Sequence, residues 1–165
     1  MFKEQNLSLK RLLLLLLVGV VLDWVLRTYV VEVVYASSAS MEPTLDVKQF
    51  VLVIKCWYDF SVPQRLDVVL LDHEGQGLLK RVIGLPGEQV EVRLKDVYIN
   101  GAKLSEPYAV HRDAQTDEHR DNWEPQRLPA GSYFVMGDNR DLSKDSRIFG
   151  PIYLDHIQGK VIVFF

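Results

Sequence analysis

The stretch KDVYINGAKL, residues 95–104, places Asn100-Gly101 between a β-rich run and a second run that can return beside it. This dipeptide favours two-residue turns in which both central residues take positive φ, so it predicts an antiparallel β-hairpin. Short apolar runs bounded by Asp, Pro and Gly predict further strands on both sides. These runs are QFVLVIKCW from Gln49, LDVVLLDH from Leu66, EQVEVRL from Glu88, GSYFVMGD from Gly131 and GKVIVFF from Gly159.

The chain after residue 31 is therefore predicted to be mainly β, a compact antiparallel domain that is barrel-like or built from packed sheets. Residues 105–127 interrupt this pattern, because they are polar, contain Pro107 and Pro125 and show little periodicity. They are predicted to form an exposed polar excursion.

Composition excludes several classes of function. A chain of 165 residues can hold a membrane anchor and one domain with a core. Its formal net charge is -3 and no basic run exceeds two residues, so we expect no nucleic-acid partner. The single Cys56 can form neither an intramolecular disulfide nor a zinc site alone, and it is predicted to be a buried small hydrophobe. We predict no cofactor and no metal.

An apolar segment near the amino terminus predicts a transmembrane helix. LLLLLLVGVVL, residues 12–22, contains no polar side chain. A helix over residues 11–31 would be about 31 Å long, close to the hydrocarbon thickness of a bilayer. Asp23 and Arg27 are four residues apart and are predicted to pair on one helix face.

Charge flanking this segment predicts its orientation. Basic residues precede it and acidic residues follow it, so the positive-inside rule places the amino terminus in the cytoplasm. The predicted organisation is a cytoplasmic segment at 1–11, a single span at 12–31 in contact with lipid, and an extracytoplasmic domain at 32–165. The sequence leaves open whether three aromatic residues lie in the core or at the membrane interface; they are Trp57, Tyr58 and Phe60.

A cleaved signal peptide is the alternative for this segment, because small residues such as Ala36 and Ser38 follow it. Charged residues separate those small residues from the leucines, which makes a poor cleavage region.

Two stretches carry a candidate nucleophile and a candidate base. SASMEPTL, residues 38–45, offers Ser40, and LLKRVIGLPGE, residues 78–88, places Lys80 beside Arg81 in a strand-like run. Neighbouring strand side chains point to opposite faces, so Lys80 is predicted to point inward if Arg81 is solvated. The alternative is that both are edge charges.

A third stretch, GDNRDLSKDSRIFGP at residues 137–151, has the Gly, Asp, Asn and Ser content of an ordered loop. Opposite charges stand two residues apart in two places, Asp138 with Arg140 and Asp145 with Arg147. These pairs predict a loop held by ion pairs, and fixed loops often carry function.

Together with RLDVVL at residues 65–70, these stretches resemble, in order and content, the four motifs of the bacterial type I signal peptidases. The resemblance extends from residue 12 to the end of the chain. It implies that Ser40 is the nucleophile and Lys80 the general base. It also implies that Ser38 and the Ser40 amide form the oxyanion hole.

The resemblance assigns roles in the third stretch as well. It implies that Ser143 orients the lysine amine, and that an ion pair between Asp145 and Arg147 holds the loop of Ser143. Two positions depart from the family pattern, since Ala39 and Leu66 stand where Gly is usual. The excursion is too short for the extra β domain of some enterobacterial members, so the chain looks like a compact single-span member.

The implied substrates are exported preproteins, cleaved after small residues with Ala preferred at the first and third positions before the bond. Met41, Leu45 and Leu79 are the candidate walls of the substrate pocket. For Lys80 to act as a base near neutral pH, burial must lower its pKa from about 10.4 to roughly 7 or 8.

Other mechanisms and functions stay open at this point. A Ser-His-Asp triad would need one of four histidines, which are His73, His111, His119 and His156. Each is more simply a surface residue or one satisfied locally. A self-cleaving, repressor-like Ser-Lys peptidase and a non-catalytic membrane-anchored binding module are the two alternative functions.

Overall fold

The chain folds into antiparallel β-sheets preceded by a helix, in a computed structural model that describes residues 2–118 and 120–164, with side chains for 9–118 and 120–162. The helices are α1 Phe2–Val25 and α2 Ser146–Phe149. The strands are β1 Val31–Tyr35, β2 Phe50–Ile54, β3 Val68–His73, β4 Gln76–Gly84, β5 Gln89–Arg93, β6 Asp96–Ile99, β7 Ala102–Lys103, β8 Trp123–Arg127, β9 Ser132–Met136, β10 Ile152–Tyr153 and β11 Ile157–Phe164. The predicted mainly β class is confirmed.

Two sheets share these strands. The larger has the order β1-β2-β11-β3-β4-β9-β10 and the smaller has the order β7-β6-β5-β8. In the part of the chain that the structure describes, both sheets are open, so barrel-like closure is wrong and the packed-sheet alternative holds. A core cluster with residues from β4, β5, β6 and β9 joins the sheets. The predicted hairpin is confirmed, because Asn100 and Gly101 have φ of 51° and 81° between β6 and β7.

The amino-terminal segment differs from its prediction. The helix α1 ends at Val25, a π-helical turn covers Leu26–Val30, and β1 begins at Val31. The β-branched run there pairs with β2, and this sheet pairing ends the helix before residue 31. Among the described residues, no helix combines the length and the apolar character needed to cross a membrane. The predicted pair of Asp23 with Arg27 is confirmed, at 3.0 Å.

The polar excursion is more ordered than predicted. Its last residues form β8, which joins the smaller sheet beside β5, and Asp121 is fully buried. Val110 forms a parallel bridge with Asn139, in the loop that follows β9. The excursion therefore packs across the third sequence stretch, a long-range contact that composition does not encode.

Cys56 also departs from its prediction. It is half-buried, in the 3-10 turn Lys55–Asp59 between β2 and β3, because this turn rather than a strand follows β2. In the same region Trp57 is exposed, Tyr58 is half-buried, and Phe60 is 89% exposed.

Candidate active site

The side chains of Ser40 and Lys80 meet in the interior of the domain. Ser40 lies in the 3-10 turn Ala39–Met41, and Lys80 lies on β4 between β3 and β9. Lys80 Nζ donates hydrogen bonds to Ser40 Oγ at 2.8 Å and to the carbonyl oxygen of Leu79 at 2.9 Å. Both side chains are buried, with Lys80 only 2% exposed. Lysine is almost never buried to this extent unless it is paired.

Burial sets the basicity of this lysine. Removal from water lowers the pKa of the Lys80 amine from 10.5 to about 8, while the nearby charges of Asp145 and Asp138 act in the opposite direction. Desolvation penalises the ammonium form more than these carboxylates favour it. At pH 7 about a tenth of the molecules therefore carry the neutral amine, which can accept a proton from a hydroxyl.

The exposed Ser38 lies beside the nucleophile candidate. Its hydroxyl donates to Ser40 Oγ at 3.1 Å. Ser38 is thus close enough to contribute to an oxyanion site at Ser40, the position that the resemblance implies.

The loop after β9 holds the turn of Ser40 in place. The backbone N–H of Asn139 donates to the carbonyl oxygen of Ser40 at 3.1 Å, and Thr44 Oγ1 donates to Asp138 Oδ2 at 2.5 Å. A side chain at Gly137 would overlap both the Ser40 carbonyl and Ser143 Oγ, so only glycine permits this approach of the two segments.

Arg81 is buried, so the expectation that it is solvated while Lys80 points inward is wrong for Arg81. It is buried on the face opposite Lys80, where Nε and Nη2 donate to the two oxygens of Asp138 at 2.8 and 2.6 Å. The alternation of side chains holds, but the second face of β4 is covered by the loop after β9. Its buried guanidinium is stabilised by a bidentate carboxylate partner.

Ser143 and Asp145 lie in the loop after β9 itself, and Arg147 lies in α2, which follows this loop. The backbone N–H of Gly137 donates to Ser143 Oγ at 3.1 Å and to Asp145 Oδ2 at 3.0 Å. Arg147 Nε donates to Asp145 Oδ1 at 2.9 Å, so the predicted ion pair is present. Burial raises the pKa of the Asp145 carboxyl, but the hydrogen bonds and charge of Arg147 outweigh it and hold that pKa below its ordinary value.

Two other expectations concern this loop: that Ser143 orients the lysine amine, and that Asp138 pairs with Arg140. Among the hydrogen bonds of the described residues, none joins Ser143 to Lys80, so the orienting role of Ser143 stays a prediction. Asp138 and Arg140 do not pair with each other. Asp138 pairs with Arg81, and Arg140 pairs with Glu106, because long-range packing brings better-placed partners than the neighbour two residues away.

A narrow groove of about 30 Å³ runs beside Ser40 and Lys80. Met41 and Leu79 are among its lining residues, and their role as walls of a substrate pocket stays a prediction. Leu45 is fully buried in the core cluster and is not among the residues that line the groove, so its role as a pocket wall stays a prediction. The residues of the groove come from β1, the segment that joins β1 to the Ser40 turn, that turn and β4; they are Val34, Tyr35, Ala36, Ser37, Ser38, Ser40, Met41, Gly77, Leu78, Leu79 and Lys80.

None of the described histidines forms a hydrogen bond with Ser40, whose side-chain hydrogen bonds run to Ser38 and Lys80. His73 stacks on Phe149 at 4.2 Å, and both His111 and His156 are exposed. His119 lies outside the described residues. Where side chains are described, no group of three His, Cys, Asp or Glu could hold a metal ion.

Sequence reasoning missed two residues that reach the site from the excursion. Glu106 pairs with the buried Arg140, and the ring of Tyr108 covers the guanidinium of Arg81. The residues around them have no periodic pattern, and their partners are 27 to 34 positions away in sequence, so no local signal identifies either one.

Comparison with known proteins places this geometry in a family context. Residues 9–165 match the family described as signal peptidase, peptidase S26. A signal peptidase I from Leptolyngbya laminosa is 39% identical over 158 residues, which cover 89% of this chain and 74% of the relative. Signal peptidase I S from Bacillus subtilis (strain 168) is 34% identical over 154 residues, with 88% and 84% covered. A crystal structure of a signal peptidase I from Enterococcus faecalis V583 has a TM-score of 0.54 and 36% identity, covering 62% of this chain and 97% of that one.

Proposed function

Since this chain belongs to the signal peptidase family, peptidase S26, and is thereby a serine peptidase, we propose that it removes signal peptides from exported preproteins with Ser40 as nucleophile and Lys80 as general base. The observation that carries this proposal is the 2.8 Å contact between Lys80 Nζ and Ser40 Oγ, made by a buried lysine whose pKa is lowered to about 8. A serine hydroxyl needs such a base to become a nucleophile.

The reaction proceeds in two steps. Ser40 Oγ attacks the carbonyl carbon of the scissile bond while Lys80 accepts its proton, and the oxyanion receives hydrogen bonds from the Ser40 amide and the Ser38 hydroxyl. Lys80 then gives the proton to the leaving amine of the mature protein, which leaves the signal peptide as an ester on Ser40. Lys80 then takes a proton from a water molecule as the water oxygen attacks this ester, and it returns the proton to Ser40 Oγ as the ester bond breaks, which releases the signal peptide as a carboxylic acid and restores the free enzyme.

The narrow groove supports cleavage after small residues. Met41 and Leu79 line it, and its volume of about 30 Å³ leaves little room for a large side chain. Steric overlap with these walls excludes large residues at the first and third positions before the bond, so Ala is preferred there. Ser143 and Asp145 belong to the loop that holds the Ser40 turn and accept hydrogen bonds from its Gly137 amide, and Arg147 pairs with Asp145, so we expect these three residues to support that turn.

Membrane attachment through α1 is the second part of the proposal. The apolar side chains of residues 12–18 and 20–22 are all exposed on this helix, and water alone is an unfavourable environment for so much apolar surface. Lipid contact removes this surface from water and keeps the enzyme near substrates that are still in the bilayer. The single-pass arrangement with a cytoplasmic amino terminus stays a prediction.

A cleavage assay tests the chemistry. The purified full chain, in detergent micelles, is given a preprotein whose signal peptide ends in Ala-x-Ala, and the product masses identify the bond that breaks. Ser40→Ala and Lys80→Ala should be inactive while folded, whereas Ser105→Ala, at an exposed serine far along the chain, should be active. Activity of Ser40→Ala near the wild-type rate refutes the mechanism.

The same assay separates the alternative functions. Cleavage of its own chain but of no preprotein would indicate a self-cleaving Ser-Lys peptidase, and binding without hydrolysis would indicate a non-catalytic module. Flotation with phosphatidylcholine vesicles tests attachment. Leu16→Asp should weaken flotation, while Leu94→Asp, at a similarly exposed leucine in the hairpin of β5 and β6, should not.

A further inference from the structure

The aromatic ring of Tyr108 lies on the guanidinium of Arg81, the residue next to Lys80 on β4. The centre of the ring is 4.2 Å from Arg81 Cζ, a distance typical of a cation-π contact. The contact covers the guanidinium and limits its access to water. Tyr108 belongs to the excursion, which thus reaches the strand that carries Lys80.

Arg81 is the centre of a network that extends to the nucleophile turn. Two of its nitrogens bind Asp138, and Nη2 also donates to Thr44 Oγ1 at 3.3 Å. Thr44 follows Ser40 by four residues, and Asn139, next to Asp138, donates its N–H to the Ser40 carbonyl. The orientation of Arg81 therefore affects both residues of the reacting pair, Lys80 through the strand and Ser40 through the loop.

A second contact fixes Tyr108 over Arg81. The Tyr108 hydroxyl donates to Glu106 Oε1 at 3.0 Å, and Glu106 also binds the fully buried Arg140. Arg140 Nε donates to the Gly137 carbonyl, in the loop that holds the Ser40 turn. The backbone of Val110 binds both neighbours of Asn139, since its N–H donates to Asp138 and its carbonyl accepts from Arg140. The segment from 106 to 110 therefore clamps this loop from outside.

We propose that Tyr108 is a positioning residue of the Ser40-Lys80 pair, which acts by holding Arg81 against Asp138. This inference rests on the proposed function. The ring, more than the hydroxyl, carries the effect, because it excludes water from the ion pair and strengthens it by lowering the local dielectric constant. Without the ring, water reaches the guanidinium and the loop after β9 samples more than one position. Small displacements of reacting groups are costly to the rate.

Three variants separate the ring, the hydroxyl and general effects on folding. Tyr108→Leu removes the ring, Tyr108→Phe keeps the ring and removes the hydroxyl, and Tyr98→Leu is the matched control. Tyr98 is also half-buried and lies over Arg93 Cζ at 4.4 Å, but on the smaller sheet. For each full-length variant we measure the melting temperature, and kcat and KM for a preprotein, normalised to active sites titrated with a small serine-acylating reagent.

The expected result for Tyr108→Leu is a kcat lower by roughly tenfold per active site, with KM within about twofold of wild type, the size that loss of one desolvated cation-π contact allows. Tyr108→Phe should keep most of the wild-type kcat, and Tyr98→Leu all of it. If Tyr108→Leu does not fold, Tyr108→Met takes its place, because a flexible methionine fills irregular space.

Several results would overturn the inference. The first is a Tyr108→Leu variant with a lower melting temperature but a wild-type kcat per active site. The second is a Tyr108→Phe variant that loses as much kcat as Tyr108→Leu does. The third is failure of both Tyr108→Leu and Tyr108→Met to fold, which would make the role of the ring structural. These outcomes differ from a failure of the proposed function, in which wild-type protein is inactive or Ser40→Ala keeps activity.

Discussion

Replacing Lys80 with Met should stabilise the protein at neutral and mildly acidic pH while it abolishes activity. Methionine keeps much of the side-chain volume and removes the group whose charged form is penalised by burial. The pKa of Lys80 falls from 10.5 in the unfolded chain to about 8 in the folded protein. This difference of about 2.5 in pKa corresponds to about 3 kcal/mol of folding free energy, because each pKa unit is equivalent to about 1.36 kcal/mol.

The sign of the pH dependence follows from proton binding. Between about pH 8 and 10.5 the unfolded chain holds the proton and the folded protein does not, so wild-type stability rises with pH across this window. The penalty is complete below about pH 8 and absent above about 10.5. Met also loses the hydrogen bonds from Lys80 to Ser40 and Leu79, which contribute about 1 kcal/mol each. The net gain at pH 6 should therefore be about 1 kcal/mol, and it should become a loss near pH 10.

Urea unfolding of the full chain in detergent at pH 6, 8 and 10 measures this free energy. Lys144→Met is the control, because Lys144 is exposed in the loop after β9 and its replacement should not produce the same change with pH. A Lys80→Met variant that is less stable than wild type by more than about 1 kcal/mol at pH 6 would refute the reasoning. Lys80 would then be a charged partner of Asp145 and Asp138, and the proposed mechanism would lose its base.

Three further predictions concern the site and the fold. Ser143→Ala should lower kcat less than Lys80→Ala does in the preprotein assay, because Ser143 Oγ binds the Gly137 amide and not the lysine; an equal loss would assign it a larger role. In a substrate series, Leu or Phe at the first position before the bond should block cleavage, and efficient turnover of either would contradict the narrow groove. Leu66→Gly should raise the free energy of unfolding by about 1 kcal/mol, because Leu66 has φ of 75° and is exposed. A melting temperature lower than wild type would contradict the expected relief of strain.

The sequence by itself determined the local features of the fold. Runs such as LDVVLLDH became strands, and Asn100-Gly101 became the predicted turn, because side-chain alternation and backbone preference act within a few residues. It also indicated Ser40 and Lys80 as a candidate nucleophile and base, since their surrounding motifs are contiguous. The motif resemblance thus predicted that these two residues, forty positions apart in the sequence, belong to one site. In the structure Lys80 Nζ lies 2.8 Å from Ser40 Oγ.

Only the tertiary structure decided which distant residues each of these elements packs against. It ended α1 at Val25, because pairing with β2 outweighs the helical tendency of the residues that follow. It buried Arg81 against Asp138, 57 residues away, and it placed Tyr108 of the supposed excursion over that guanidinium. Such partners depend on closing long loops and on the shape of the packed sheets, and neither leaves a pattern in the residues nearby.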